Sequence, residues 1–288
     1  MASLGNEQQR PEQEQTWPGE TAAMIPPPED EMSAYVGRNL LLDRAVLITG
    51  GDSGIGRAVA VAFAKEGADV AISYLSEHAD AEHTAKLVEQ AGRRALLLPG
   101  DVGTEAHCVE LVRRTVDEFG RLDTVVNNAA VQRSTDDLTE ITSEEWAYTF
   151  AVNIHSFFWV TKAALAHLPD GAAVINTASV NGLRGNGSLL AYSATKGAVL
   201  AFTYATAQAL IDRRIRVNAV APGPVWTPLI PATMPPEKAA SFGAQAPLGR
   251  PAQPDEIAPS YVFLASEQLS SYYSGQVLTP VGGEAKPG

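Results

Sequence analysis

The chain has one cysteine, Cys108, among 288 residues, so no internal disulfide can staple it. Taken alone, that residue fits a small core position. Basic residues are also scarce: 21 Lys and Arg against 33 Asp and Glu leave a net charge of −12. That balance argues against nucleic acid or an anionic membrane as a partner. No apolar run reaches membrane-spanning length, and no basic-then-apolar leader opens the chain, which reads as a soluble, cytoplasmic protein. The five histidines are scattered, at positions 78, 83, 107, 155 and 167. No cluster of Cys, His and carboxylates forms, so no catalytic metal is expected. No internal repeat is visible. What remains is a 45% hydrophobic chain long enough for a sizeable core.

The most informative stretch is ITGGDSGIGRAVA, from Ile48 to Ala60. It is one step from a mononucleotide loop, but that loop needs a lysine on the phosphates and a hydroxyl on Mg²⁺. Arg57 and Ala58 occupy those positions, and alanine cannot ligate a metal. The G-x-G-x-x-G fingerprint fails as well, because Val59 stands where its third glycine belongs. What fits is T-G-x-x-x-G-x-G, with Thr49, Gly50, Ser53, Gly54, Ile55 and Gly56 forming the turn. Small residues let the backbone approach a pyrophosphate, and the next helix offers free N–H groups and its positive end.

The first forty residues are rich in Glu, Gln and Pro and poor in periodic apolar residues. Such a segment cannot bury enough surface to fold alone. Residues 1–40 are either a disordered arm or an extended one laid over a neighbouring subunit. From 41 to 288 strands and helices alternate. Strands are expected at Ala45–Thr49, Asp69–Tyr74, Arg94–Leu98, Leu122–Val126, Ala172–Thr177, Ile215–Val220 and near Gln276–Thr279. Helices are expected between them, including one long helix over Glu144–Leu168 and another over Tyr192–Leu210. That alternation predicts an α/β fold in one domain: a doubly wound parallel sheet of the Rossmann type, in three αβα layers. Ligands in such sheets sit at the C-terminal ends of the strands.

Several segments at those ends are distinctive: Gly100-Asp101-Val102, Asn127-Asn128-Ala129-Ala130, Ser179, Tyr192-Ser193-Ala194-Thr195-Lys196, and Pro222-Gly223-Pro224-Val225. Together with the glycine turn, and in this order, they closely resemble the short-chain dehydrogenase/reductase family from Leu40 to Gly283. A lone Y-x-x-x-K is weak evidence in a chain with eight tyrosines; the ordered set is not. The pair also makes chemical sense. Positions 192 and 196 lie one helical turn apart on one face. A nearby ammonium favours a phenolate, so Lys196 is expected to lower the pKa of Tyr192 and let it exchange a proton near neutral pH.

The resemblance implies an NAD- or NADP-dependent oxidoreductase acting on a small carbonyl or alcohol substrate. It implies a tetrad of Asn153, Ser179, Tyr192 and Lys196. Ser179 and Tyr192 would hold the substrate oxygen, and Asn153, unfavourable mid-helix, would relay protons through water to Lys196. Lys196 would also bind the nicotinamide ribose, Asp101 and Val102 would meet the adenine, and Asn128 and Ala129 would line the groove. Pro222, Gly223, Val225 and Thr227 would contact the nicotinamide end, and residues 226–250 would form an apolar lid. A non-catalytic coenzyme sensor of the same fold is the alternative, and its expected mark is loss of Ser179, Tyr192 or Lys196. A methyltransferase would have no need of Y-x-x-x-K. Coenzyme preference stays open: the end of the second strand, at Ser73-Tyr74, carries neither the acid of an NAD enzyme nor the base of an NADP enzyme, and Glu77 would repel a 2′-phosphate if it faced inward. Apolar residues on several helix faces (Phe157, Phe158 and Trp159; Leu200, Phe202 and Tyr204) call for a second partner besides the sheet, and the resemblance implies that these helices pair in a homotetramer.

Overall fold

The structure is a computed structural model and describes residues 10–284. Strands β1 (Ala45–Thr49), β2 (Asp69–Tyr74), β3 (Ala95–Pro99), β4 (Thr124–Asn127), β5 (Ala173–Thr177), β6 (Arg216–Val220) and β7 (Val277–Leu278) make one sheet. Its order is β3-β2-β1-β4-β5-β6-β7, and every pairing is parallel. β1, β2, β4, β5 and β6 are buried along their whole length, as strands covered on both faces must be. The order reverses between β1 and β4, which opens a crevice at their C-terminal ends.

The helices are α1 (Gly54–Lys65), α2 (His78–Gln90), α3 (Glu105–Phe119), α4 (Ser143–Phe150), α5 (Ser156–Ala164), α6 (Val180–Arg184), α7 (Leu190–Ala209), α8 (Leu229–Thr233), α9 (Pro236–Ala240), α10 (Pro254–Ala265) and α11 (Glu267–Ser270). One core layer joins α1, α2 and α10 to the sheet, with Phe63, Ile72 and Tyr261 fully buried. The opposite layer holds α3 and α5, with Leu111, Leu122 and Val160, and Cys108 sits buried there as a core residue. Most of the expected element ends hold to within a few residues. The expected long helix over 144–168 does not: α4 and α5 are separated by a π-turn at Ala151–His155, and α5 ends at Ala164. Such turns distort a helix locally and are common at functional sites.

The described part of the arm packs on its own subunit. Asp30 pairs with Arg57 at 3.3 Å, both side chains 2% exposed. Met32 N donates to Asp255 Oδ1 (3.0 Å), and Lys65 Nζ donates to Met32 O (2.6 Å). The buried Glu66 carboxylate accepts from the Tyr35 hydroxyl and from the Arg38 and Leu40 amides. Trp226 Nε1 donates to Pro26 O (2.9 Å). A segment that cannot fold alone is ordered here because α1 and α10 present charged groups that need partners where it lies.

Candidate active site

The glycine turn opens α1, and its geometry requires glycine at two places. A Cβ on Gly56 would stand 1.8 Å from Gly50 O, and Gly50 itself has φ +62°. The turn is braced from beneath by the Asn-Asn-Ala segment after β4. Thr49 Oγ1 accepts from the Asn128 and Ala129 amides (2.9 and 3.1 Å), and Asn128 Nδ2 donates to Gly50 O (2.9 Å). Thr177 Oγ1, at the end of β5, donates to Asn128 Oδ1 (3.1 Å). Three strand ends are thus tied together beneath one cleft.

That cleft runs along the C-terminal edge of the sheet. Gly50, Ser53, Gly54 and Ile55 line its centre; Tyr74, Asp101 and Val102 line one end; Asn128, Ala129, Tyr192, Lys196 and Thr227 line the other. A second cleft adjoins it, walled by Ser179, Pro222, Gly223, Val225 and the lid residues Leu229, Ile230, Met234 and Phe242. Tyr192 and Thr227 line both. Arg184 also faces the second cleft and pairs with Glu284. Three expected site residues lie behind the walls instead: Thr49, Gly56 and Asn153 line neither cleft. Thr49 and Gly56 act by shaping the turn.

Asn153 sits in the π-turn, fully buried. Its Oδ1 accepts from Val131 N (2.8 Å), and its Nδ2 donates to Val131 O (2.8 Å) and Thr195 Oγ1 (3.1 Å). Thr195 Oγ1 in turn donates to Tyr192 O (2.7 Å). Both amide donors are therefore committed to protein groups, and the side chain braces α7 through Thr195.

Ser179 caps α6, accepting from Asn181 N at 3.1 Å, and its hydroxyl stands beside the Tyr192 phenol. Lys196 is completely buried; its Nζ lies 5.5 Å from the Tyr192 ring centroid and donates to Thr177 O at 2.6 Å. The expected lowering of the Tyr192 pKa is not present in the protein alone. Burial pushes the phenol up to about 12, against a smaller opposing effect of the Ser179 hydrogen bond. Burial likewise pushes the Lys196 ammonium down to about 7. Desolvation penalises both charged forms. Tyr192 is therefore held as a protonated phenol, a ready donor to a carbonyl oxygen.

Sequence reasoning missed several residues of the first cleft. Trp17 and Pro18 of the arm line it, as do Asp52 and Thr177. Asp52 and Glu77 share its Tyr74 end, and burial together with the Glu77 charge pushes the Asp52 carboxyl up to about 7. A buried acid inside the glycine turn has no signature in a pattern that leaves that position free. Ser73 Oγ, buried at the end of β2 and also lining the cleft, has no hydrogen-bond partner among the described residues. Among those residues no group of three His, Cys, Asp or Glu is placed to hold a metal ion. The open glycine turn at a helix N-terminus and the orphaned Ser73 hydroxyl fit an elongated dinucleotide.

Comparison with known proteins agrees. The family described as enoyl-(acyl carrier protein) reductase matches residues 50–284, leaving the arm outside the match. The uncharacterized oxidoreductase YhdF of Bacillus subtilis is 52% identical over 277 residues, covering 96% of each chain. The NADPH-dependent aldehyde reductase 1, chloroplastic, of Arabidopsis thaliana is 46% identical over 272 residues, covering 92% of this chain and 94% of its own. A short chain dehydrogenase from Burkholderia cenocepacia, solved in complex with NADP, superposes with a TM-score of 0.79 at 31% identity, over 84% of this chain and 98% of that one.

Proposed function

Because the chain belongs to the short-chain dehydrogenase/reductase family and is an NAD(P)-dependent oxidoreductase, we propose that it reduces aldehydes or ketones, or oxidises the matching alcohols, with Tyr192 as the proton donor and acceptor. The observation that carries this reading is the position of Tyr192: it stands where the two clefts meet, beside Ser179 and one turn from Lys196. The coenzyme, when bound, supplies or takes up the hydride. The chain's own residues do the rest. Ser179 donates to the substrate oxygen and orients it; Tyr192 Oη moves a proton to or from that oxygen. Lys196 would hold the ribose behind the phenol, while Asn153 is a positioning residue for α7. Asp101 and Val102 would meet the adenine, with Tyr74 beside them, and Pro222, Gly223, Val225 and Thr227 would contact the nicotinamide end. Residues 226–250 form a lid on a catalytic domain spanning 41–288, and its apolar lining suits substrates with some apolar surface.

The test is turnover of a panel of aldehydes, ketones and alcohols with each coenzyme, followed by absorbance of the reduced nicotinamide. Tight coenzyme binding without turnover of any of them would favour a sensor instead. Both coenzymes are expected to bind. Asp52 and Glu77 border the adenosine end, but a carboxyl held near pKa 7 carries only part of its charge at neutral pH. It neither strongly prefers ribose hydroxyls nor strongly rejects a 2′-phosphate. Calorimetric titration should give affinities within about a hundredfold, or ~2.7 kcal/mol; a larger ratio would mean another residue reads that position.

A homotetramer is part of the same proposal. Phe158 on α5 and Tyr204 on α7 stay 48% and 42% exposed, although their neighbours Phe157 and Leu200 are buried. Large apolar groups left on outer helix faces favour a partner subunit. Sedimentation at micromolar concentration should give the mass of four chains, and a monomeric mass would refute it.

A further inference from the structure

We propose that the N-terminal arm completes the coenzyme cleft, with Trp17 closing it over the adenosine half. The inference rests on the coenzyme reading above but concerns residues that precede the stretch matched by the family model. Trp17 and Pro18 line the same cleft end as Tyr74, Leu75, Asp101 and Val102. Those last four come from the ends of β2 and β3, and the indole lines the cleft with them. Its ring meets Tyr148 edge-on, with centroids 6.4 Å apart and planes at 86°. Tyr148 Oη donates to Asp101 Oδ2 (3.3 Å), which links the arm to the β3 end through two side chains.

The turn that carries Trp17 is fastened on both sides. Gln15 N donates to Pro231 O in α8 (2.9 Å), and Glu20 N donates back to Gln15 Oε1 (2.7 Å), closing a loop with Trp17 and Pro18 inside it. Gly19 N donates to Thr16 O (2.9 Å). Gly19 lies so flat on the lid that a Cβ there would stand 2.7 Å from Pro228 O, at φ +91°. On the far side Thr21 N donates to Asp80 Oδ2 (2.9 Å) on α2. Trp17 is thus suspended between the lid and α2, half-buried, with its ordering cost met by the arm's own contacts before any ligand arrives. A rigid indole in that position suits a purine, since every base offers an aromatic face.

The test uses ADP-ribose, which carries the adenosine half and lacks nicotinamide, with nicotinamide mononucleotide as the control. In the unaltered protein, saturating ADP-ribose should slow amide hydrogen exchange across residues 12–24, and the mononucleotide should not. Trp17→Ala should weaken ADP-ribose at least about tenfold, or ~1.4 kcal/mol, while Trp17→Phe, which keeps a ring, should stay within about threefold of the unaltered protein. A folded Trp17→Ala with unchanged ADP-ribose affinity would sink the proposal and leave the coenzyme reading standing. Failure of the unaltered protein to bind ADP-ribose would sink both. If Trp17→Ala does not fold, the exchange experiment decides alone, and absence of protection in the arm overturns the proposal.

Discussion

Tyr192→Phe is expected to lower turnover at least about a hundredfold, the usual scale for removing a general acid or base. The ring stays, so the packing of α7 and the wall shared by the two clefts should be unchanged. Only the hydroxyl beside Ser179 is lost. Coenzyme affinity should therefore remain within a small factor, because the turn, the strand ends and Lys196 are untouched. The loss should fall on kcat more than on KM, since the proton moves in the transition state. The buried phenol, held up to about 12, keeps its proton at neutral pH, so carbonyl reduction is the direction in which its removal should be felt most directly. Near-normal kcat with a confirmed substrate would remove Tyr192 from the mechanism, whatever the affinity for coenzyme.

The largest expected effect on stability comes from a residue outside the chemistry. Arg57 is 2% exposed and is shared among four groups. Its Nε donates to Asp52 O (3.0 Å) and Thr84 Oγ1 (2.9 Å); its two terminal nitrogens reach Asp30 (3.3 Å) and Asp80 (2.7 Å). Arg57→Met would leave two buried carboxylates without their cation. Breaking a buried pair by removing one partner typically costs about 3–5 kcal/mol. Denaturant unfolding at fixed protein concentration should show a loss of that order. Arg57→Lys should recover little of it, because an ammonium cannot span four partners with a guanidinium's fork. The double variant Arg57→Met/Asp30→Asn should be less unstable than the sum of its singles, by the logic of a double-mutant cycle. A loss below about 1 kcal/mol in Arg57→Met would show that water replaces the guanidinium without penalty. Coenzyme affinity should fall as well, because Asp30 Oδ2 also accepts from Gly54 N (3.0 Å) at the first residue of α1.

The sequence alone carried what depends on neighbours along the chain. The glycine turn is legible because φ +62° at Gly50 and the 1.8 Å clearance at Gly56 admit no side chain. Tyr192 and Lys196 are legible as a pair because one helical turn separates them. The buried parallel strands announce themselves by continuous apolar runs such as AVLIT. Tertiary structure decided everything that rests on distant partners. Asp30 and Arg57 are 27 residues apart, and Thr21 and Asp80 are 59 apart, so no local pattern predicts that the arm docks on its own subunit. Asn153 was found as an anomaly in a helix, but its tie to Val131, 22 residues earlier, settles its orientation. The signs of the Tyr192 and Lys196 shifts were also beyond the sequence. Their spacing along the helix could be read from the sequence; the burial that moves both pKa values is a property of the closed fold.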